Sequence, residues 1–417
     1  MRRLLTPRQA EIVDLAAGLA DRFGERAGEH DRENTFPAEN WPEMADAGYL
    51  GLAVPRELGG LDADLTELLL AQERLAGGCA ATALAVNMHL TTSHSFRSHW
   101  RQTADERSAD FLRRAATGEV VLASCTSEAG FGGAIQDCGT TATRVPGGFR
   151  LDGRKIFFTE SEVATHFTTC AKLDDETLGP QMVFFNGVRV DTPGLEIVRT
   201  WDTLGMRATQ SNDLVLNGAF VPDECLFHAF PVGRLDAGIA LSVWSLNVPS
   251  FGAISLGIAA AGLDQVRAIV TRQGREGDAE TQHALAEMVV LLETARAVLY
   301  RHSHEVETFD RAAMLTVEEL FARGNLAKYV ASENAVRIMQ LVMEVAGGMG
   351  YHRRFPIERM YRDVRAGAIM PDSSPAARTT FALDALEVSR GDSFDVAEAA
   401  AQLERLREEA HDAAGAR

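Results

Sequence analysis

Over the first 118 residues the apolar positions recur at helical spacing. In TPRQAEIVDLAAGLADRF, Ile12, Leu15, Ala16 and Leu19 share one face. DLTELLLAQERLAGG opens on acidic residues and closes on glycines, the usual chemistry of a helix start and stop. Between them, AGYLGLAVPRELGGLDADL is broken by Gly48, Pro55, Gly59 and Gly60 and reads as a loop. The texture changes near residue 119. EVVLASCTSEAGFGG, THFTTCAKL, PQMVFFNG and NDLVLNGAFVP are short β-branched or aromatic runs punctuated by Gly, Pro and Asp, and VPGGFRLDGRKIFF has the look of a hairpin. Helical periodicity returns after residue 231. Leu285, Met288, Leu292, Ala295 and Leu299 step along one face, and TVEELFARGNLAKYVASENAVRIMQLVMEVAGG predicts another long helix. The expected architecture is therefore α+β, with a helical domain over 1–118, a β domain over 119–231, a helical bundle over 232–390 and a charged helical tail over 391–417. Several apolar helix faces exceed the needs of one core, which predicts a homodimer or homotetramer.

The chain's 417 residues suit two or three domains. A net charge of −18 argues against nucleic acid or an anionic membrane as a general partner. The five cysteines, Cys79, Cys125, Cys138, Cys170 and Cys225, are scattered without a CxxC pair, which fits a reducing compartment and neither a disulfide framework nor a zinc site. The histidines form no metal-binding cluster, and no apolar run of signal-peptide or membrane-span length is read anywhere in the chain, so a cytoplasmic location is expected.

Five phrases carry more. ASCTSEAGFGG resembles the TEPGxGS segment of acyl-CoA dehydrogenases, and KIFFTES resembles their WITN strand. LGMRATQSNDLVLNGAFVPDE, EVAGGMGYHRRFPIERMYRDVR and AGYLGLAVPRELGG resemble three further family segments, and all five stand in the family's order over about residues 45–380. The resemblance implies the family's fold, with a C-terminal four-helix bundle, and one FAD between the β domain and that bundle. It implies that Cys125, Thr126, Ser127, Gly132, Gly133, Phe157, Phe158 and Thr159 meet the flavin. Gly347 and Gly348 are implied to let the backbone approach its adenosine-diphosphate half. The family's R-x-F-G phrase is missing, and Arg272 or Arg275 stands in for its arginine. Arg362 and Asp363 are expected to form an ion pair or to brace their loop.

In that family α,β-desaturation of an acyl thioester removes an α-proton with a carboxylate while hydride passes to the flavin, and a positioned base is worth roughly 10²–10⁴ in rate. Counted from Arg362-Asp363, the usual Glu falls on Pro371; the alternative family position falls on Asn247. Neither is a base. Asp372 is the one carboxylate in AIMPDSSPAAR and the candidate for the role; as a residue before a helix with Ser374 as N-cap and Pro375 in its first turn, it also reads as ordinary helix-start chemistry. The leading expectation is an acyl-CoA or acyl-carrier-protein dehydrogenase, its electrons passing to an electron-transfer flavoprotein or O2. A flavin monooxygenase or oxidase of the same fold, or a non-catalytic partner subunit, are the alternatives.

Overall fold

A computed structural model describes residues 4–131, 135–236, 239, 243–308, 317–388 and 393–394. Helix α1 (Pro7–Glu33) starts with a reciprocal cap: the Thr6 hydroxyl accepts from Gln9 N, and Gln9 returns its side chain to Thr6 N. Its face of Ile12, Ala16 and Leu19 is buried, with Leu15 at the margin. After α2 (Asn40–Asp46), α3 (Leu65–Ala76) opens on a second such box between Asp64 and Glu67. Then come α4 (Ala80–Thr103) and α5 (Glu106–Ala116).

Strand β1 (Leu122–Ser124) begins the sheet, followed by β2 (Thr141–Val145), β3 (Gly148–Phe158), β4 (His166–Asp175), β5 (Gly179–Arg189), β6 (Leu195–Val198), β7 (Asn212–Pro222) and β8 (Leu226–Pro231). The spatial order is β6-β7-β3-β2-β4-β5-β8, with β1 paired to β4. The expected hairpin is β2–β3, in register from Val145↔Gly148 to Thr141↔Asp152. Phe149, Leu151, Phe158, Phe167 and Phe185 form the core of this domain.

Helices α6 (Val248–Gln273), α7 (Ala279–Thr308) and α8 (Val317–Ala346) make the C-terminal bundle, with short α9 (Gly348–Tyr351), α10 (Ile357–Asp363), α11 (Arg365–Ile369) and α12 (Ser374–Ala385) behind them. Met288, Leu292, Ala295 and Leu299 are buried along α7 as their spacing predicts, in one core continuous with that of the N-terminal helices. The helix–sheet–helix order expected from the sequence is the order observed. Two details differ. The cap of α12 is Ser373, without a side-chain cap bond, and not the expected Ser374, which is the first helical residue and turns its hydroxyl to Glu333 of α8. And Val243–Gln273 is long and apolar enough to cross a bilayer, a run the sequence reading passed over; most of it is buried inside the protein, because α6 is the central helix of the core. Apart from 393–394, the expected charged tail lies outside the described residues.

Candidate active site

Three layers meet around a cavity of about 590 Å³, within the usual range for a small-molecule site. Helix α4 supplies Leu84, Met88, Thr91, Thr92 and Ser95, one stripe at helical spacing. Its register against the sheet is held by His89, whose ring accepts at Nδ1 from Leu122 N (3.1 Å) and donates from Nε2 to Leu50 O (3.1 Å). Burial lowers this imidazole to about 4, so it stays neutral and makes both bonds.

The sheet supplies Thr126, Ser127, Phe157, Thr159 and Ser211. The segment carrying Thr126 and Ser127 is pinned to β3: Ile156 N donates to Ser127 O (2.9 Å), and the fully buried Lys155 ammonium reaches Glu128 (2.5 Å) and Thr126 O (3.4 Å). Burial works against the Glu128 carboxylate, yet Lys155, Thr140 and Gly139 N hold it below the usual range, so the pair stays charged. The Thr159 and Ser211 hydroxyls share a 2.8 Å hydrogen bond.

The helical side closes the cavity with the start of α6, the loop 201–206 and residues 362–371. Gly205 packs so closely on α10 that a Cβ there would lie 2.4 Å from Arg362 O, and one on Gly367 would lie 2.3 Å from Ser255 Oγ. Arg362 and Asp363 brace this wall, although not by pairing with each other. Arg362 grips Asp31 (2.6 and 3.0 Å) and Glu358 and donates to Leu204 O (2.9 Å); Asp363 accepts from Met206 N (2.6 Å). Burial raises the Asp363 carboxyl to about 6.

The site residues expected from the sequence are divided by this geometry. Thr126, Ser127, Phe157 and Thr159 line the cavity, as do Pro371 and Asn247. Cys125 and Phe158 point the other way, into the sheet's core, because alternate strand residues face opposite sides; burial pushes the Cys125 thiol up, leaving it an inert core group. Asp372, the candidate base, does not line the cavity: its carboxylate accepts from Asn325 Nδ2 (2.7 Å) on α8. Arg272, Gly347 and Gly348 do not line it either. Arg272 is exposed in the last turn of α6. Arg275 is tied to Val345 O (3.2 Å) and Thr281 Oγ1 (2.9 Å), beside those two glycines. Gly132 and Gly133 lie outside the described residues. The sequence reading missed the α4 stripe and Trp201. The stripe was available from its i, i+4, i+7, i+8, i+11 spacing; Trp201 is a loop residue and left no periodic signal.

Among the described residues, no Asp or Glu lines the cavity and no group of three or more His, Cys, Asp or Glu is arranged to hold a metal ion. A flat aromatic cofactor suits what is there. Phe157, 53% exposed, stands edge-on to Trp201 at 5.9 Å, and the two make an apolar wall of the cavity. The Asn247 side-chain oxygen is buried without a hydrogen-bond partner, an acceptor waiting for a donor from whatever fills the space.

A helical domain, a sheet and a helical bundle meet around an apolar, hydroxyl-bordered cavity that suits a flat aromatic cofactor. The sequence matches the family descriptions "Acyl-CoA dehydrogenase, N-terminal domain" over residues 6–119, "middle domain" over 123–219 and "C-terminal domain" over 236–372. The chain belongs to the acyl-CoA dehydrogenase family, whose enzymes are flavoproteins. It is 32% identical over 91% of its length to the acyl-CoA dehydrogenase-like protein YdbM of Bacillus subtilis, covering 97% of that protein. It is 31% identical over 89% of its length to L-evernosamine nitrososynthase of a Micromonospora species, covering 88% of it. The X-ray structure of KijD3 in complex with FMN and dTDP-3-amino-2,3,6-trideoxy-4-keto-3-methyl-D-glucose superposes with a TM-score of 0.84 at 27% identity, covering 93% of this chain and 96% of that one.

Proposed function

We propose that this chain is a flavin-dependent monooxygenase that oxidises an amine nitrogen, rather than a desaturase of acyl thioesters. The observation that carries the reading is a cavity with no carboxylate among its described lining residues. Desaturation requires a base to take a proton from carbon, whereas a neutral amine is already nucleophilic through its lone pair. The cavity favours that neutral form. Its walls are largely apolar, its charged lining groups are the arginines Arg362 and Arg365, and no described carboxylate is there to hold an ammonium ion; desolvation and nearby cations both lower an amine's pKa. The likeness to L-evernosamine nitrososynthase and to KijD3 supports the same direction.

Bound in the cavity, a reduced flavin supplies two electrons, so that one atom of O2 joins the substrate nitrogen as a hydroxylamine and the other leaves as water, with two protons consumed. The chain's own part is to orient and to exclude. Thr126, Ser127 and Thr159 offer hydroxyls on the sheet side, Phe157 and Trp201 form the apolar wall, Asn247 presents its free carbonyl oxygen, and Met88 and Met206 keep water out. The exposed Val290 and Leu326 on α7 and α8 support assembly into a dimer or tetramer, which sedimentation reads directly; a monomer at micromolar concentration overturns that part.

The deciding experiment has two arms. Protein loaded with reduced flavin is given O2 and a panel of primary amines, and the products are weighed by mass spectrometry. Separately, oxidised flavoprotein is mixed with acyl thioesters without oxygen. Addition of one oxygen to an amine, with no anaerobic bleaching, is expected. Anaerobic bleaching by a thioester makes the protein a dehydrogenase and overturns the proposal.

A further inference from the structure

Among the described residues lining the cavity, Arg365 is the one cation without a hydrogen bond or ion pair of its own. Its neighbour Arg362 is consumed by Asp31, Glu358 and Leu204 O. Arg365 stands at the start of α11, half-buried, and makes no hydrogen bond or ion pair with the described residues. The same wall carries Leu204 and Ile369, 64% and 69% exposed, so this is the mouth of the cavity and not its floor. The sheet-side hydroxyls belong to another wall. A guanidinium left unpaired at the rim of a pocket with no described acidic lining lacks a counter-anion, and the chain's net charge of −18 supplies none at this spot.

We propose that Arg365 is a specificity residue that captures an anionic group of the substrate, a carboxylate or phosphate, at the mouth while the apolar body of the molecule reaches inward. Guanidinium–carboxylate and guanidinium–phosphate pairs are bidentate and charge-assisted, and one such contact at a half-buried site is worth about tenfold or more in affinity. The substrate class is then an amine carrying an anion at its far end, with the amine placed deep and the anion outside. This deepens the monooxygenase reading, on which only the turnover arm of its test rests.

The binding arm uses oxidised, flavin-loaded protein and three probes with one ring and different heads: phenyl phosphate, benzoate and benzyl alcohol, followed by flavin difference spectra and tryptophan fluorescence. Both anions are expected to bind at least tenfold more tightly than the alcohol, and more weakly as salt rises. Arg365→Ala removes the preference; Arg365→Lys restores part of it; both melt like the parent, because Arg365 holds no other group. The comparison of phosphate with carboxylate identifies which anion is preferred. In the turnover arm, Arg365→Ala raises KM for an anionic amine at least tenfold more than it changes KM for a neutral amine. Equal binding of all three probes, or an anion preference that survives in Arg365→Ala, overturns the proposal. Arg365-dependent anion binding without oxygen transfer to any amine keeps it and removes the monooxygenase reading instead.

Discussion

The ammonium group of Lys328 lies 2.7 Å from the carbonyl oxygen of Asp372, and the same group reaches Met370 O at 2.8 Å. A fully buried lysine on α8 therefore pins the backbone of the strip whose Met370 and Pro371 line the cavity. Burial lowers its pKa from 10.5 to about 8, an effect partly offset by Asp372 and Glu333.

The first prediction concerns this lysine. Its folded pKa lies below its unfolded one, so between pH 8 and 10.5 the unfolded chain holds a proton that the folded chain has released. Stability from Lys328 is therefore fullest above the unfolded pKa and falls as pH drops through about 8. Lys328→Met leaves two carbonyls unsatisfied and is expected to cost about 1–3 kcal/mol at neutral pH. The gap to the parent should widen from pH 7.5 to 9.5 in urea unfolding. A gap that does not change with pH would show that the lysine titrates normally.

Asp372→Asn separates base from brace. The variant's amide oxygen still accepts from Asn325 Nδ2, so turnover should stay within about threefold of the parent, whereas loss of a true general base costs roughly 10²–10⁴. A drop of that size in kcat, with flavin still bound, would return Asp372 to the chemistry.

Phe157→Ala tests the cofactor wall. The ring is half exposed and contributes little to the core, so melting should barely move, while affinity for added flavin falls about tenfold through the lost apolar area. Titration of FMN and of FAD into the apoprotein, followed by fluorescence, measures it. Unchanged affinity for both would mean that the flavin lies elsewhere.

Much of the fold was legible in the sequence because it follows repeating patterns. The acidic start of α3, the β2–β3 hairpin and the buried face of α7 all come from local rules of spacing and turn chemistry. Family likeness brought Thr126, Ser127, Phe157 and Thr159 to attention, and all four line one cavity. What the sequence withheld was direction. Asp372 and Pro371 are adjacent, yet one faces α8 and the other the cavity; only the long-range bonds from Asn325 and Lys328 decide which. Arg362 looked like the partner of Asp363, but its acceptor Asp31 is remote in sequence. Pairings of that kind carry no local signature.

The last prediction is about Glu160, which follows Thr159 at the end of β3. It is fully buried, and neither carboxyl oxygen has a hydrogen-bond partner. Burial alone raises its pKa well above 4.5, so the folded protein holds a proton there that the unfolded chain loses. The sign follows. A folded pKa above the unfolded one gives stability that is full below about pH 4.5 and is lost as pH rises toward the folded pKa, at up to about 1.4 kcal/mol per pH unit. Glu160→Gln keeps the shape and removes the titration. It should melt close to the parent at pH 5 and clearly above it at pH 8. Glu160→Met carries a different constant offset from packing, but its difference from the parent should shift with pH in the same sense, because a packing effect does not titrate. Melting curves of the three proteins at four pH values suffice, and parallel curves for parent and variants would mean that Glu160 reaches solvent or a partner and ionises as an ordinary carboxylate.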